Sequence, residues 1–486
     1  MTEPVSQKAL RSVKWSVLME LVSRVSSPLI FVVLARLLAP ADFGVLATAM
    51  IAISLAQAFC DASLSKALVQ SKEPPESIAH IAFWTNVLGA FVAYAFLFVA
   101  APSISLFFQN PLTEPVLRVA GLQIIIVSLS SVHQALLVRD FKFRQLFWIK
   151  SLTAFVPGLL SIPFAATGYG VWALVIGSLT GHLLNLWLFW HRSPWRPRME
   201  FDLKAAKGLY RFGFWTAGEG LALWFFGWAD NLLVGKFLGT ASLGIYTVGW
   251  SISAILFGAL VNPLLPVLYT SFSRLQDDRI ALHAMFANAN RIVMALTLPL
   301  GAGLLLLGPD LAILLFGSHW PGLGLVLGVL GLMMGMGWMV GINHELYRAI
   351  GRPDLNTKLM FSFILYYLPA FIIAAPFGLK VFLFTRLGVG LLAIPIHVYV
   401  SVRVLGLSPF YLWHSGKPIF LATLSMALVL CCLKWGIGLV MSEAPGLLIP
   451  GVMIFTSLVV YAGTLWLLDK PFVLQAKSLL RQAASS

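Results

Sequence analysis

Arg36-Leu-Leu-Ala-Pro-Ala-Asp-Phe-Gly44-Val45 closes one helix-length apolar run and opens the next, and Lys236-Phe-Leu-Gly-Thr-Ala-Ser-Leu-Gly244-Ile245 repeats it 200 residues later. The two stretches align without a gap. Each has a cation, two apolar residues, a small residue, a turn, Ala41 or Ala241, a capping Asp42 or Ser242, and then Gly44 or Gly244. Trp15 and Trp215 match at the same offset. A motif that recurs between equivalent pairs of apolar runs marks an internal duplication rather than a chance likeness.

The surroundings of the motif fix its solvent. The 486 residues are 59% hydrophobic and 11% charged, with a mean hydropathy of +0.88. A water-soluble chain of that length needs far more polar surface to cover its core. A bilayer crossing takes about 20 mainly apolar residues in a helix. That criterion gives about fourteen spans, near 13–38, 43–66, 78–107, 113–138, 144–167, 169–191, 207–236, 241–272, 280–307, 320–349, 354–376, 380–404, 416–440 and 446–468. The class expected is an all-α integral membrane protein with no extramembrane domain.

A formal charge of +14 invites a nucleic-acid reading, but its distribution opposes one. The cations gather in alternate loops: Lys8 to Lys14, Lys66 and Lys72, Arg139 to Arg144, Arg192 to Lys207, Arg274 and Arg279, Arg348 to Lys358, Arg403 and Lys417, Lys470 to Arg481. That is the positive-inside pattern, and it puts both termini in the cytoplasm of a cell whose inner-type membrane the chain spans. An even number of spans agrees with it. The polar, basic N-terminus runs into a span too long for a cleavable signal peptide. Cys60, Cys431 and Cys432 lie in or beside apolar spans, where they are expected as packing residues.

Six spans separate the two copies of the motif, so both halves enter the membrane in the same direction. Parallel repeats of this kind place a substrate site near the midplane between the halves. The expected organisation is a six-helix lobe at 1–200, a second at 201–405, and a terminal helix pair with a cytoplasmic tail at 406–486. The Pro- and cation-rich stretch 191–207 is the natural connection between the lobes.

These residues also carry a resemblance. Leu34 to Gly44, then Phe59-Cys-Asp61 and Lys66-Ala-Leu-Val-Gln70, resemble the start of a Wzx-type polysaccharide flippase. Asp230-Asn-Leu-Leu-Val-Gly-Lys-Phe-Leu-Gly239, Leu243-Gly-Ile-Tyr246 and Phe272-Ser-Arg274 continue the pattern. The likeness is to the WzxC-like exporters of the MOP superfamily, which also holds the MATE exporters and MurJ-type flippases, and it covers about 1–350. It implies two pseudo-symmetric lobes that move undecaprenyl-pyrophosphate-linked saccharides from the cytoplasmic to the periplasmic leaflet. The polysaccharide polymerase machinery is an implied neighbour.

Ionisable residues inside spans are candidates for function by default. Arg24 lies about 16 Å into the first helix, with Glu20 one turn earlier on the same face. The pair is either self-neutralising or a cavity cation restrained by its acid. Arg291, flanked by Asn288 and Asn290, suits a phosphate-and-sugar ligand, because guanidinium grips phosphate oxygens bidentately. It equally suits an interhelical hydrogen bond. Arg118 and Lys150 are further substrate candidates that could instead snorkel to headgroups, as could Arg386. Among the acids, Asp61, Glu219 and Asp230 stand out. Glu219, between Gly218 and Gly220, is a candidate binder of H⁺ or Na⁺ as coupling ion, or a partner for an arginine. Asp230 has a structural alternative. No histidine pair has metal-ligand spacing, so neither a metal nor any cofactor beyond a coupling ion is expected.

The leading expectation is therefore a non-enzymatic flippase working by alternating access. A MATE-like drug exporter is the nearest alternative, although cationic drugs favour acidic cavities. A membrane glycosyltransferase, polymerase or ligase needs acid-base groups on a sizeable loop, and the loops here are short.

Overall fold

The computed structural model describes residues 28–60, 75–199, 203–406, 410–440 and 448–485, together with Ser26 and Ser408. Side chains at 75–78, 203–217, 219 and a few helix-end positions also lie outside the description. The described residues form helices and the turns between them, with no strand. Among the described residues, twelve helical stretches are long and apolar enough to cross a membrane.

In chain order the helices are α1 (Pro28–Leu37), α2 (Pro40–Cys60), α3 (Pro75–Phe107), α4 (Thr113–Ala120), α5 (Leu122–Arg139), α6 (Phe143–Ala166) and α7 (Val171–Arg192). There follow α8 (Leu203–Val261), α9 (Leu265–Arg274), α10 (Arg279–Phe316), α11 (Leu323–Gly341), α12 (Asn343–Ala349), α13 (Pro353–Ala374) and α14 (Leu379–Leu405). The chain ends in α15 (Tyr411–Val440), α16 (Leu448–Leu468) and α17 (Lys470–Ser485).

The expected seventh and eighth spans are one element, α8, broken at Gly239, whose backbone leaves helical space at φ 81° and ψ 173°. Only glycine takes that conformation without strain. The break is a hairpin: the Tyr246 hydroxyl donates to Asp230 Oδ2 at 2.5 Å, and Thr247 Oγ1 to Asn231 Oδ1 at 3.4 Å. In a straight helix, residues sixteen apart would be separated by about 24 Å. The eighth span is shorter than the expected 241–272. It stops at Val261, and α9 begins after a turn containing Pro263, because proline removes a helix donor and clashes with the preceding turn. The expected tenth span, 320–349, is one apolar stretch, Leu323–Ala349, in which the single residue Ile342 separates α11 from α12. Most of the expected first span, 13–38, lies outside the described residues.

The helices group into two compact units, Met1–Thr247 and Val248–Ser486. In the first unit α6 packs on α7, α3 on α5, and α2 on both α3 and α4. Its core includes Val45, Ala49, Ile53, Leu97, Val116, Leu117 and Val175. The two copies of the repeated motif meet here. A Cβ on Gly44 would run into the Thr240 carbonyl and lie 3.1 Å from the Gly244 nitrogen; one on Gly244 would run into the Pro40 carbonyl and lie 2.9 Å from the Gly44 nitrogen.

In the second unit, α10 and α11 pack through glycine. Added methyls on Gly308, Gly301 and Gly335 would come 2.6, 2.9 and 2.7 Å from the carbonyls of Gly324, Gly331 and Thr297. In lipid there is little hydrophobic drive between helices, so such small-residue stripes supply close van der Waals contact instead. The terminal pair α15 and α16 docks on α10. Tyr461 donates to the Ala295 carbonyl at 2.8 Å, and Lys434 reaches the Leu306 carbonyl at 2.6 Å and Asp310 at 2.5 Å.

Candidate functional site

Two polar stripes in apolar helices build the site of the first unit. On α6, Lys150, Thr153, Pro157 and Ser161 fall on one face; on α7, Ser178, Gly181, His182 and Asn185 do the same. The helices cross tightly at one end of the stripes, where a methyl on Gly181 would come 2.9 Å from the Pro157 ring and one on Gly177 would run into Ser161. Between the faces lies a cavity of about 330 Å³, lined also by Leu34 of α1 and Leu46 of α2.

Lys150 is the charge of this cavity. Its ammonium is 3.3 Å from Gln134 Oε1 on α5 and 5.6 Å from the centre of the Phe189 ring. Neither contact supplies a counter-charge, and none of the described lining residues is acidic. Asn185 Oδ1 is buried without a hydrogen-bond partner. The cavity therefore presents one cation, amide and hydroxyl groups, and an unused acceptor. That set complements an anionic, hydroxyl-rich ligand.

The other predicted residues have different surroundings. Arg118 pairs with Glu114 at 2.9 Å and lies 4.6 Å over Phe98, while Tyr94 donates to its carbonyl at 3.0 Å. Arg291 pairs with Asp469, just before α17, and lies 4.6 Å over Phe472. Asp230 is buried, with Oδ1 accepting from the Asn231 backbone at 2.9 Å and Oδ2 from Tyr246, so it ties the two arms of α8 together. Arg386 sits 4.6 Å over Trp250 and 5.7 Å over Phe371. Arg24, Glu20, Asp61 and the side chain of Glu219 lie outside the described residues.

Sequence reasoning missed Gln134, Thr153, Ser178 and Asn185, and weighed His182 only as a metal ligand. The signal was present: polar residues at i, i+4 and i+7 in an apolar span, beginning at Ser178, define one face of a helix. A second polar group lies in the second unit, where Asn343 Nδ2 donates to Ser401 Oγ at 2.9 Å and the Tyr347 hydroxyl meets the same oxygen at 3.1 Å. His344 is half-buried, with Nδ1 2.9 Å from Asn356 Oδ1, and Glu345 is buried and pairs with Arg348. Among the described residues no three His, Cys, Asp or Glu side chains gather to hold a metal ion.

A multi-pass helical bundle with a polar cavity inside its spans defines an integral membrane protein. Solved structures bear out the fold. The chain is similar to an inward-facing multidrug resistance MATE family transporter of the MOP superfamily, with a TM-score of 0.59 and 12% identity over 80% of this chain and 98% of that one. It is similar to an outward-facing transporter of the same description at a TM-score of 0.51 and 14% identity, over 81% and 95% of the two chains.

A family profile described as "Polysaccharide biosynthesis protein" matches residues 33–323, and the chain belongs to that family. Among its relatives is the succinoglycan biosynthesis transport protein ExoT of Rhizobium meliloti, 26% identical over 69% of this chain and 68% of that one. The lipopolysaccharide biosynthesis protein WzxC of Escherichia coli is 24% identical over 76% and 75% of the two chains.

Proposed function

We propose that this protein is a flippase that carries polyprenyl-pyrophosphate-linked oligosaccharide from the cytoplasmic to the periplasmic leaflet of a bacterial inner membrane. The observation that carries the reading is Lys150, a cation in a 330 Å³ cavity whose described lining joins apolar side chains to amide, imidazole and hydroxyl groups and holds no carboxylate. A cation buried in a span is costly unless a ligand or partner repays it. A pyrophosphate does so, and Thr153, Ser178, His182 and Asn185 offer hydrogen bonds to the attached sugar. Membership of a polysaccharide biosynthesis family and relatives named for succinoglycan transport and lipopolysaccharide biosynthesis support the same substrate class.

No bond is made or broken in this reading, so the protein is not an enzyme. Alternating access moves the head group while the polyprenyl tail stays in lipid, with both termini cytoplasmic and a proton or Na⁺ as candidate coupling ion. Export of cationic drugs, which the MATE-type fold invites, would call for an acid where Lys150 stands.

The test is complementation of a strain lacking its own flippase for the matching glycan, with wild type and Lys150→Gln compared at equal membrane levels. Surface polysaccharide and the leaflet holding the lipid-linked repeat are the readouts. Rescue by wild type, with the repeat stalled on the cytoplasmic side in Lys150→Gln, supports the proposal. Failure of wild type to rescue, or full rescue by the variant, overturns the function or the site respectively.

A further inference from the structure

A second hollow, of about 400 Å³, lies on the opposite side of α6 from the Lys150 cavity. Arg144, the second residue of α6, and Arg192, the last of α7, put two guanidinium groups around it. Gln145 lines it as well, and its Oε1 is buried without a hydrogen-bond partner. The remaining wall is apolar and includes Trp148, Leu152 and Leu188.

From this hollow an apolar stripe runs along α6. Trp148, Leu152, Phe155 and Leu159 follow at spacings of four, three and four, and are 53%, 51%, 47% and 69% exposed. Such a row on a membrane span faces acyl chains. From Trp148 to Leu159 it covers about 16 Å, roughly half a hydrocarbon core of about 30 Å. Trp148 sits at the charged end, where an indole belongs at the membrane–water boundary.

We propose that the hollow binds one acidic glycerophospholipid of the phosphatidylglycerol type, with its phosphate between Arg144 and Arg192 and an acyl chain on the α6 stripe. Two guanidinium groups select a net anionic phosphate diester and repel the ammonium of a zwitterionic head. The unused Gln145 oxygen accepts from a headgroup hydroxyl, a donor that glycerol carries and choline lacks. The single-leaflet length of the stripe matches an acyl chain; a polyprenyl chain would overrun it. The inference needs only that the chain spans a bilayer, so it stands apart from the transport proposal.

Native mass spectrometry of the purified full-length protein in detergent, titrated with defined lipids, tests it. One phosphatidylglycerol should be retained about tenfold or more tightly than phosphatidylcholine, as expected for charge-assisted contacts. Arg144→Gln with Arg192→Gln should abolish that preference, and Gln145→Leu should weaken it several-fold. Equal binding of the two lipids, unchanged phosphatidylglycerol binding in the double variant, or displacement by polyprenyl phosphate or millimolar inorganic phosphate would each overturn the assignment.

If the double variant does not fold, tryptophan quenching by chain-brominated lipids reads the same site. Brominated phosphatidylglycerol should quench wild type more than Trp148→Phe, and more than brominated phosphatidylcholine does. Identical quenching in all three cases refutes the proposal.

Discussion

Gly44 and Gly244 are packed against each other backbone to backbone, and the space that a methyl on either would need is filled by a carbonyl of the other's copy of the motif. The contact is reciprocal. Gly44 abuts the carbonyl of Thr240, Gly244 abuts that of Pro40, and Thr240 and Pro40 are related by the same offset of 200 as the glycines. A residue pair i to j matched by j to i is the signature of an isologous contact about a two-fold axis. Here the two sides of the contact are the two occurrences of the motif in one chain.

The first prediction follows from that geometry. Gly44→Ala and Gly244→Ala should each destabilise the protein by about 1–3 kcal/mol, the usual cost of overpacking. The two changes share one contact, so the second should cost less in the presence of the first than alone. Thermal unfolding in detergent of the two single variants and the double variant checks both statements. Gly227→Ala, with open space around its Cβ position, is the control and should be close to neutral.

That contact also shows where sequence reasoning reaches and where it stops. The repeated motif was legible because helix ends need a turn, a cap and a small residue in fixed order. Nothing in one sequence says that the copies touch. The spans were legible from apolar length alone, and α3, α6, α7, α13 and α14 lie close to their expected bounds. The hairpin at Gly239 also fell at an expected break. The turn at Pro263 cuts a span that apolar length alone made continuous. For charges the limit is sharper. Lys150 and Arg291 both announce themselves by depth, but depth says nothing of partners. Asp469 is 178 residues from Arg291, so no spacing rule could have paired them.

Lys150 should answer to charge and shape in different degrees. Lys150→Gln removes the cation and keeps a hydrogen-bonding head, and transport should fall by a factor of about ten to a hundred if a charge-assisted contact to phosphate is lost. Lys150→Arg should recover part of that loss, because guanidinium keeps the charge on a bulkier, planar fork. Asn185→Asp should also impair transport by setting an anion beside the ligand's own. Leaflet-resolved assay of the lipid-linked repeat at matched expression checks all three. A normal rate in Lys150→Gln would remove the residue from the site.

Arg291 poses the opposite question, since its charge is already answered by Asp469. Arg291→Ala leaves a part-buried carboxylate without its partner and should cost about 1–3 kcal/mol of stability. Replacing both members, Arg291→Met with Asp469→Leu, should restore most of that stability and, if the pair serves only to seat α17, transport with it. Unfolding temperature and transport measured on the same preparations separate the roles. Recovery of stability without recovery of transport would return Arg291 to the list of phosphate-binding cations.

Asp230 should prove structural. Its carboxylate is satisfied by Asn231 and by the Tyr246 hydroxyl, both within the α8 hairpin. Tyr246→Phe removes one charge-assisted bond from a buried carboxylate and should lower stability by about 1.5–3 kcal/mol. Asp230→Asn keeps the shape and should do less harm than Asp230→Ala. A set of variants that moves transport while leaving unfolding unchanged would argue instead for a part in ion coupling.

The last prediction concerns motion at the repeated motif. Asn110, in the turn between α3 and α4, donates from Nδ2 to Thr240 Oγ1 at 3.0 Å, and Lys236 nearby donates to the Phe107 carbonyl at 2.9 Å. These bonds fasten the second copy of the motif to the α3–α4 turn, beside the place where Thr240 meets Gly44. If transport by alternating access requires that end of the bundle to part, tethering it should stop the cycle. Cysteines at 110 and 240, in a chain whose Cys60, Cys431 and Cys432 are replaced by serine, can be bridged by a short thiol-to-thiol reagent with a reducible link. Bridging should bring transport to background, and reduction should restore it, while either single cysteine treated alike should remain active. Undiminished transport in the bridged protein would mean that this contact persists through the cycle, and the moving element would then have to be sought elsewhere in the fold.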